Sequence, residues 1–95
     1  MEQGNIVWDK PLRRDDRLCA ERLDDELVML DEIRGKYLNL NPVAARIWEL
    51  LETPTSPGEL CAVLMAEFDV TERVCRSHTL EFLEDLSWRG MLHDA

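Results

Sequence analysis

Two side chains that together could form a nucleophilic pair, the thiol of Cys75 and the imidazole of His78, stand three residues apart. On a helix this spacing brings both residues to one side, and a histidine beside a cysteine can act as its base. A helix interior, however, offers no free amide to stabilise an oxyanion, because its N–H groups are already hydrogen-bonded. The spacing therefore indicates a buried thiol beside an imidazole at the helix edge, and a small enzyme that uses Cys75 is kept only as an alternative.

The other residues capable of chemistry form no recognisable catalytic or metal site. His78, His93 and the cysteines lack the spacing of a metal-binding motif. Three cysteines without a C-x-x-C pair predict reduced, mostly buried thiols. Adjacent carboxylates follow from the acidic composition, and the four isolated glycines form no phosphate loop. We therefore predict no enzyme activity, no metal and no cofactor.

Length and charge narrow the class of protein further. The chain has 95 residues, 45% of them hydrophobic, and a net charge of −9. This size predicts a single domain over residues 1–95 with a genuine core. The negative charge argues against nucleic acid and anionic membranes as partners, because both attract Lys and Arg. No stretch has the length and apolarity of a membrane span, and the N-terminus lacks a secretion signal, so we expect a cytoplasmic protein.

The first 40 residues have strand character. For residues 1–16 the pattern predicts an N-terminal arm or edge strand. For residues 17–40 it predicts an antiparallel sheet of two or three strands, with strands over 17–22, 26–33 and 36–40. Gly35 supplies the positive φ that the hairpin before the last strand commonly needs. Alternation in that strand predicts Leu38 and Leu40 on one face and Tyr37 and Asn39 on the other.

Residues 41–92 predict three helices. Asn41, Ser56 and Thr71 are N-cap residues, the second within a capping box, and Arg89-Gly90 is a stop signal. The predicted buried stripes are Val43, Ala44, Ile47, Trp48 and Leu51; Leu60, Cys61, Leu64, Met65 and Phe68; and Cys75, Thr79, Phe82, Leu83 and Leu86. Trp88 falls on the polar side of the third helix, where it could contact a partner or pack on the N-terminal arm.

Several motifs, taken in order, resemble the PqqD family (coenzyme PQQ synthesis protein D). They are "G-K-Y-x-x-L-N" over residues 35–41, "I-W-x-L-L" over 47–51, "E-L…L…F-x-V" over 59–70 and "F-L-x-x-L-x-x-R-G-L-L" over 82–92, with Met91 at the first of the two final leucines. The similarity extends from about residue 17 to 92. One departure is His78, where the family often has an acidic residue.

The resemblance implies an α+β, winged helix-turn-helix-like fold, with an N-terminal antiparallel hairpin or three-stranded sheet followed by three helices. It also implies a non-catalytic adaptor, a recognition element for the leader of a ribosomally synthesised precursor peptide. In the family the leader adds as a strand to the third strand, beside the third helix. The matching peptide-binding residues here are Lys36, Tyr37, Leu38, Asn39, Leu40, Cys75, His78, Thr79 and Phe82. Several of these apolar positions also fit a purely core-filling role.

Two biosynthetic settings follow from the resemblance. The favoured one is a lasso-peptide cluster, where the domain partners a separate leader-cleaving cysteine protease. The alternative is a peptide chaperone of PQQ biosynthesis that acts with a radical SAM enzyme. A winged-helix DNA-binding regulator is an alternative of another class, but the third helix sets Arg73, Arg76 and Arg89 against four acidic residues.

Overall fold

Eight short elements make up the part of the chain that the structure describes, residues 6–15, 20–24, 26–31 and 34–95 of a computed structural model. In chain order they are β1 (Leu12–Arg14), β2 (Ala20–Leu23), β3 (Glu26–Asp31), β4 (Lys36–Leu40), α1 (Pro42–Leu50), α2 (Pro57–Glu67), α3 (Glu72–Trp88) and β5 (Leu92–Asp94). The predicted α+β class, with a sheet followed by three helices, is confirmed.

The main sheet is antiparallel, with strand order β2-β3-β4. Gly35 lies in the turn between β3 and β4 with φ 65°, the left-handed conformation predicted for it. The register opposes Met29 to Leu38 and Leu27 to Leu40, so these apolar side chains share the inner face of the sheet. The observed β4 matches the predicted strand residue for residue. Positions 17–19, 32 and 33, which the sequence also assigns to strands of this sheet, lie outside the described residues.

Each helix begins at the predicted capping residue. The side chain of Asn41 accepts a hydrogen bond from the backbone N–H of Ala44 at 2.8 Å. Ser56 and Glu59 form a reciprocal capping box, and Thr71 accepts from the backbone N–H of Val74. These bonds satisfy amides that have no partner within the first helical turn, which is why the sequence fixes the helix starts so closely.

The core lies between the inner face of the sheet and the three helices. Its fully buried large side chains include Met29, Ile47, Leu51, Leu60, Leu64, Leu83 and Leu86. The predicted stripes supply most of these residues, and Trp48 is buried as expected. Met65 is the exception, because it is 40% exposed although the pattern assigned it to the buried face of α2. Phe82 is only partly buried and packs at the edge of the core.

A second, two-stranded sheet was not foreseen. Here β1 pairs antiparallel with β5, the strand that follows α3. The apolar run Ile6-Val7-Trp8 is not a strand; instead the carbonyl of Trp8 accepts from the N–H of Gly58, and its ring lies beneath Arg76. Three-residue strands carry too little periodicity to be recognised. Trp88 is 58% exposed, and the guanidinium of Arg34 lies over its ring at 4.2 Å.

Candidate functional site

The strand β4 has an open edge. One side of β4 pairs with β3 over five residue positions, from Lys36 opposite Asp31 to Leu40 opposite Leu27. Within the described residues no strand pairs with its other side. In an antiparallel strand, alternate residues direct their N–H and C=O groups away from the neighbour already present. The edge therefore offers a row of backbone donors and acceptors to which another extended chain can bond.

A groove between α1 and α3 begins at the C-terminal end of β4. Asn41, the residue immediately after β4, stands at its start. The groove has a volume of about 550 Å³, within the range of pockets that take small apolar groups. It is lined by Asn41, Val43, Ala44, Ile47, His78, Glu81, Phe82 and Asp85. Val43, Ala44, Ile47 and Phe82 make its walls apolar, while α3 contributes the polar rim.

The rim of the groove is acidic. Asp85 accepts a hydrogen bond from Nε of Arg89 at 3.2 Å, which offsets its charge. Glu81 is exposed and forms no ion pair with any described residue. His78 is exposed one helical turn before Phe82. The groove therefore combines apolar contact with a negative potential that favours cationic groups nearby.

A buried carboxylate, Asp31, connects the sheet to the end of α3. Its Oδ2 lies 2.9 Å from Nη1 of Arg89 and 3.3 Å from Nη1 of Arg34, and Oδ1 accepts from the backbone N–H of Arg34. Burial acts to raise the pKa of Asp31, but the bonds from the Arg34 backbone and from the guanidinium groups of Arg89 and Arg34 outweigh it and lower this pKa. Asp31 thus stays ionised and holds the hairpin before β4 in place against α3.

The predicted residues of β4 lie where alternation places them. Leu40 is buried and Leu38 is partly buried against the core, both on the inner face of the sheet. Tyr37 is 71% exposed on the opposite face. Asn39 lies on that face too and donates from Nδ2 to Glu26 at 2.9 Å. Lys36 is exposed at the hairpin end of the strand.

The four predicted residues of α3 separate into two pairs. His78 and Phe82 line the groove. Cys75 and Thr79 do not: both are buried and face α2, where the thiol of Cys61 lies 3.5 Å from Oγ1 of Thr79 and that of Cys75 lies 3.9 Å from the Cys61 carbonyl. Cys75 and Thr79 lie near the centre of the buried face of α3, and residues at the centre of a buried face pack on the neighbouring helix.

Sequence reasoning missed much of the groove. Asn41 was recognised only as a cap, and Val43, Ala44 and Ile47 only as core residues of α1. On α3 the missed residues are Glu81 and Asp85. The available signal was the spacing 78, 81, 82 and 85, which marks one stripe beside the buried arc of α3. The sequence alone does not say which helix faces that stripe.

Metal ligands and thiols were sought among the described residues. No group of three or more His, Cys, Asp or Glu side chains among them could hold a metal ion. The two described cysteines, Cys61 and Cys75, are buried, and burial raises the pKa of the Cys61 thiol. A raised pKa disfavours the thiolate, which is the reactive form. No helix among the described residues is long and apolar enough to cross a membrane.

Comparison with known proteins points to one family. The family model described as coenzyme PQQ synthesis protein D (PqqD) matches residues 26–92. The solved structure of TbiB1 in complex with the TbiA(beta) leader peptide is 31% identical, with a TM-score of 0.72 over 84% of this chain and 93% of that chain. A lasso peptide synthetase B1 complexed with the leader peptide is 26% identical, with a TM-score of 0.72 over 85% of this chain and 95% of that one.

A third solved structure shares the fold at low sequence identity. It is the PqqD truncation of Methylobacterium extorquens PqqCD, described as a functional and stand-alone recognition element for ribosomally synthesised and post-translationally modified peptides. The identity is 15%, and the TM-score is 0.78 over 98% of this chain and 99% of that chain. No curated protein sequence matches the chain.

Proposed function

The chain belongs to the PqqD family, and on that premise we propose that it is a non-catalytic adaptor. It binds the leader of a ribosomally synthesised precursor peptide and presents that leader to a maturation enzyme. The observation that carries the proposal is the open edge of β4 beside the apolar groove between α1 and α3. The two similar solved structures, each described as a complex with a leader peptide, support it.

Binding proceeds by strand addition to β4. The leader extends the sheet as a fourth strand, and its backbone bonds to the free side of Lys36–Leu40. Because side chains of a strand alternate between faces, every second leader side chain points toward the groove. His78 and Phe82 contact these inward side chains. Cys75 and Thr79 act indirectly, since they are buried between α3 and α2 and hold α3 in position.

The energetics require both the strand edge and the groove. Four to six backbone hydrogen bonds contribute about 0.5–1.5 kcal/mol each. Association and ordering oppose them by about 4–15 kcal/mol, whereas micromolar affinity needs about −8 kcal/mol. Two or three buried apolar leader side chains add roughly 1.5–3 kcal/mol each. The apolar walls of the groove offer a place for these side chains, so strand pairing sets the register and the groove adds the affinity that backbone pairing alone does not reach.

The partner enzyme is, in our proposal, the leader-cleaving cysteine protease of a lasso-peptide cluster. The name of the 26%-identical structure, a lasso peptide synthetase component, favours this setting over PQQ biosynthesis with a radical SAM enzyme. Separate proteins for recognition and for cleavage are consistent with this chain, because its described cysteines are buried and its described residues form no metal cluster. The enzyme therefore supplies the chemistry, and this chain supplies recognition.

The decisive test is an NMR titration of the labelled protein with the leader peptide of its own cluster. We expect the largest amide shifts at residues 36–40 and along the groove-facing stripe of α3, residues 78–85, at micromolar affinity. A scrambled leader of the same composition is the control and should leave the spectrum unchanged. Shifts confined to other residues, or no binding at tens of micromolar, would contradict the proposal. A mobility-shift assay with duplex DNA at low salt should show no complex.

A further inference from the structure

Two exposed side chains of opposite charge lie near the two ends of β4. Lys36 is the first residue of the strand, and it pairs with Asp31, a buried residue of the inner face of the sheet. Its side chain therefore lies on that inner face, as the side chain of Leu38 does. Glu81 lines the groove beside Asn41, the residue after β4. Neither Lys36 nor Glu81 forms an ion pair with any described residue.

The direction of α3 places these two charges at opposite ends of the leader site. Arg89, at the C-terminus of α3, bonds to Asp31, which lies opposite Lys36. Glu81 precedes Arg89 by roughly two helical turns, or about 12 Å along the helix axis. The backbone positions of Lys36 and Glu81 are therefore further apart than the screening length of about 8 Å at physiological salt. Each charge acts on its own end of a bound peptide.

The other fixed charges that the described residues bring to the site are already paired. Asp85 accepts a hydrogen bond from Nε of Arg89, and Arg89 also donates to Asp31. Arg34 donates to the same carboxylate of Asp31. Two guanidinium groups and two carboxylates therefore offset one another. What remains is a positive charge at the hairpin end of β4 and a negative charge at the groove end.

We propose that Lys36 and Glu81 select leaders by the order of their charges, an inference that rests on the proposed function. All strand pairs of the main sheet are antiparallel, and antiparallel pairing is the more stable kind, so the leader runs antiparallel to β4. Its N-terminal end then lies beside the groove. The preferred leader carries a Lys or Arg near Glu81 and, about four residues further on, an Asp or Glu near Lys36.

This pair of charges supplies information that backbone pairing lacks. A strand that slips by two residues forms the same pattern of hydrogen bonds and keeps the same face toward the groove. Such a slip moves both leader charges away from Lys36 and Glu81, and a leader bound in the reverse direction brings like charges together. Electrostatic complementarity of this kind contributes specificity more than affinity. The apolar groove and the strand edge still supply the binding energy.

The test exchanges the two charges in the protein and in the peptide. The double variant Lys36→Glu/Glu81→Lys keeps the net charge at −9. One probe is the synthetic leader of the chain's own cluster. The other is an exchanged leader, in which Glu replaces each Lys and Arg, and Lys replaces each Asp and Glu. At 50 mM salt we expect the double variant to bind the native leader about tenfold more weakly than wild type, and the exchanged leader about tenfold more tightly, because exposed ion pairs become like-charge contacts and the reverse.

A second double variant, Asp69→Lys/Arg73→Glu, is the matched control. It exchanges one acidic and one basic residue at exposed sites outside the groove lining, and it also keeps the net charge. We expect it to bind both peptides as wild type does. Circular dichroism establishes that both double variants are folded. At 500 mM salt the preference of each protein for its own peptide should shrink, because ions screen exposed charges.

Three results would overturn the inference. The first is equal affinity of wild type and Lys36→Glu/Glu81→Lys for both peptides. The second is a loss of affinity for the native leader with no gain for the exchanged leader, which would give these residues a structural role only. The third is a native leader that lacks a basic residue followed about four positions later by an acidic one. Failure of wild type to bind the native leader at all would instead reject the proposed function itself.

Discussion

Arg89, the residue that caps the C-terminus of α3, donates from Nη1 to Oδ2 of Asp31 at the end of β3 across 2.9 Å. The two residues are 58 positions apart, and Asp31 is only 1% exposed. Arg34, in the turn before β4, bonds to the same carboxylate. One buried charge therefore links the sheet and the hairpin before β4 to α3, the helix that forms one wall of the groove.

Asp31→Asn should lower the free energy of unfolding at neutral pH, and the loss should be smaller at acidic pH. The pKa of Asp31 is lowered from 3.8, so its ionised form contributes stability that is fully present above pH 3.8 and is lost as the pH falls through the lowered value. The difference in unfolding free energy between wild type and variant should therefore narrow below pH 3.8. Urea denaturation at pH 7 and pH 3 measures it. Asp69→Asn, at an exposed site, is the control, and a difference that is constant with pH would refute the expectation.

Methylation of single leader backbone nitrogens should weaken binding at alternate positions only. In an added strand every second leader N–H points toward β4, and a methyl group there removes a hydrogen bond and blocks close approach. Loss of one such bond corresponds to roughly two- to tenfold weaker affinity. Calorimetry with a series of singly methylated peptides measures the pattern. Uniform losses along the series, or none, would show that the leader does not bind as a strand.

Phe82→Ala should weaken leader binding about tenfold or more, because Phe82 forms an apolar wall of the groove and a buried apolar side chain contributes roughly 1.5–3 kcal/mol. Fluorescence anisotropy with a labelled leader reports the affinity. Met65→Ala removes an exposed apolar side chain from α2 and should leave it unchanged. Since Phe82 also packs at the edge of the core, thermal unfolding must show that the variant is folded at the assay temperature.

Salt should have a modest effect on leader affinity. The walls of the groove are apolar, and its acidic rim residues Glu81 and Asp85 are exposed and therefore screened by ions. We expect less than a tenfold loss between 50 and 500 mM salt, with a leader Lys or Arg accounting for most of it. The anisotropy titration repeated at both salt concentrations measures the change. A larger loss would mean that charge, rather than apolar contact, dominates recognition.

Local patterns determined much of the fold. The hairpin at Gly35, the alternation of β4 and the caps at Asn41, Ser56 and Thr71 were all predicted and found, because each depends on residues adjacent in sequence. The pairing of β1 with β5 was not, since it joins residues about 80 positions apart in strands of three residues. Each strand is too short for its alternation to predict either the strand or the strand with which it pairs.

The candidate site likewise combines features that the sequence predicts with features that only the tertiary structure shows. The sequence by itself determined that a strand over Lys36–Leu40 exists and that its side chains alternate, and it carried the resemblance to the family. Only the tertiary structure decided that Cys75 and Thr79 face α2 while His78 and Phe82 face the groove. It alone also showed that the side of the main sheet away from the helices carries exposed apolar residues, Leu23 and Tyr37 among them. The physical reason is that helical and strand periodicity define faces, whereas the long-range packing of one element on another decides which face is covered and which remains open.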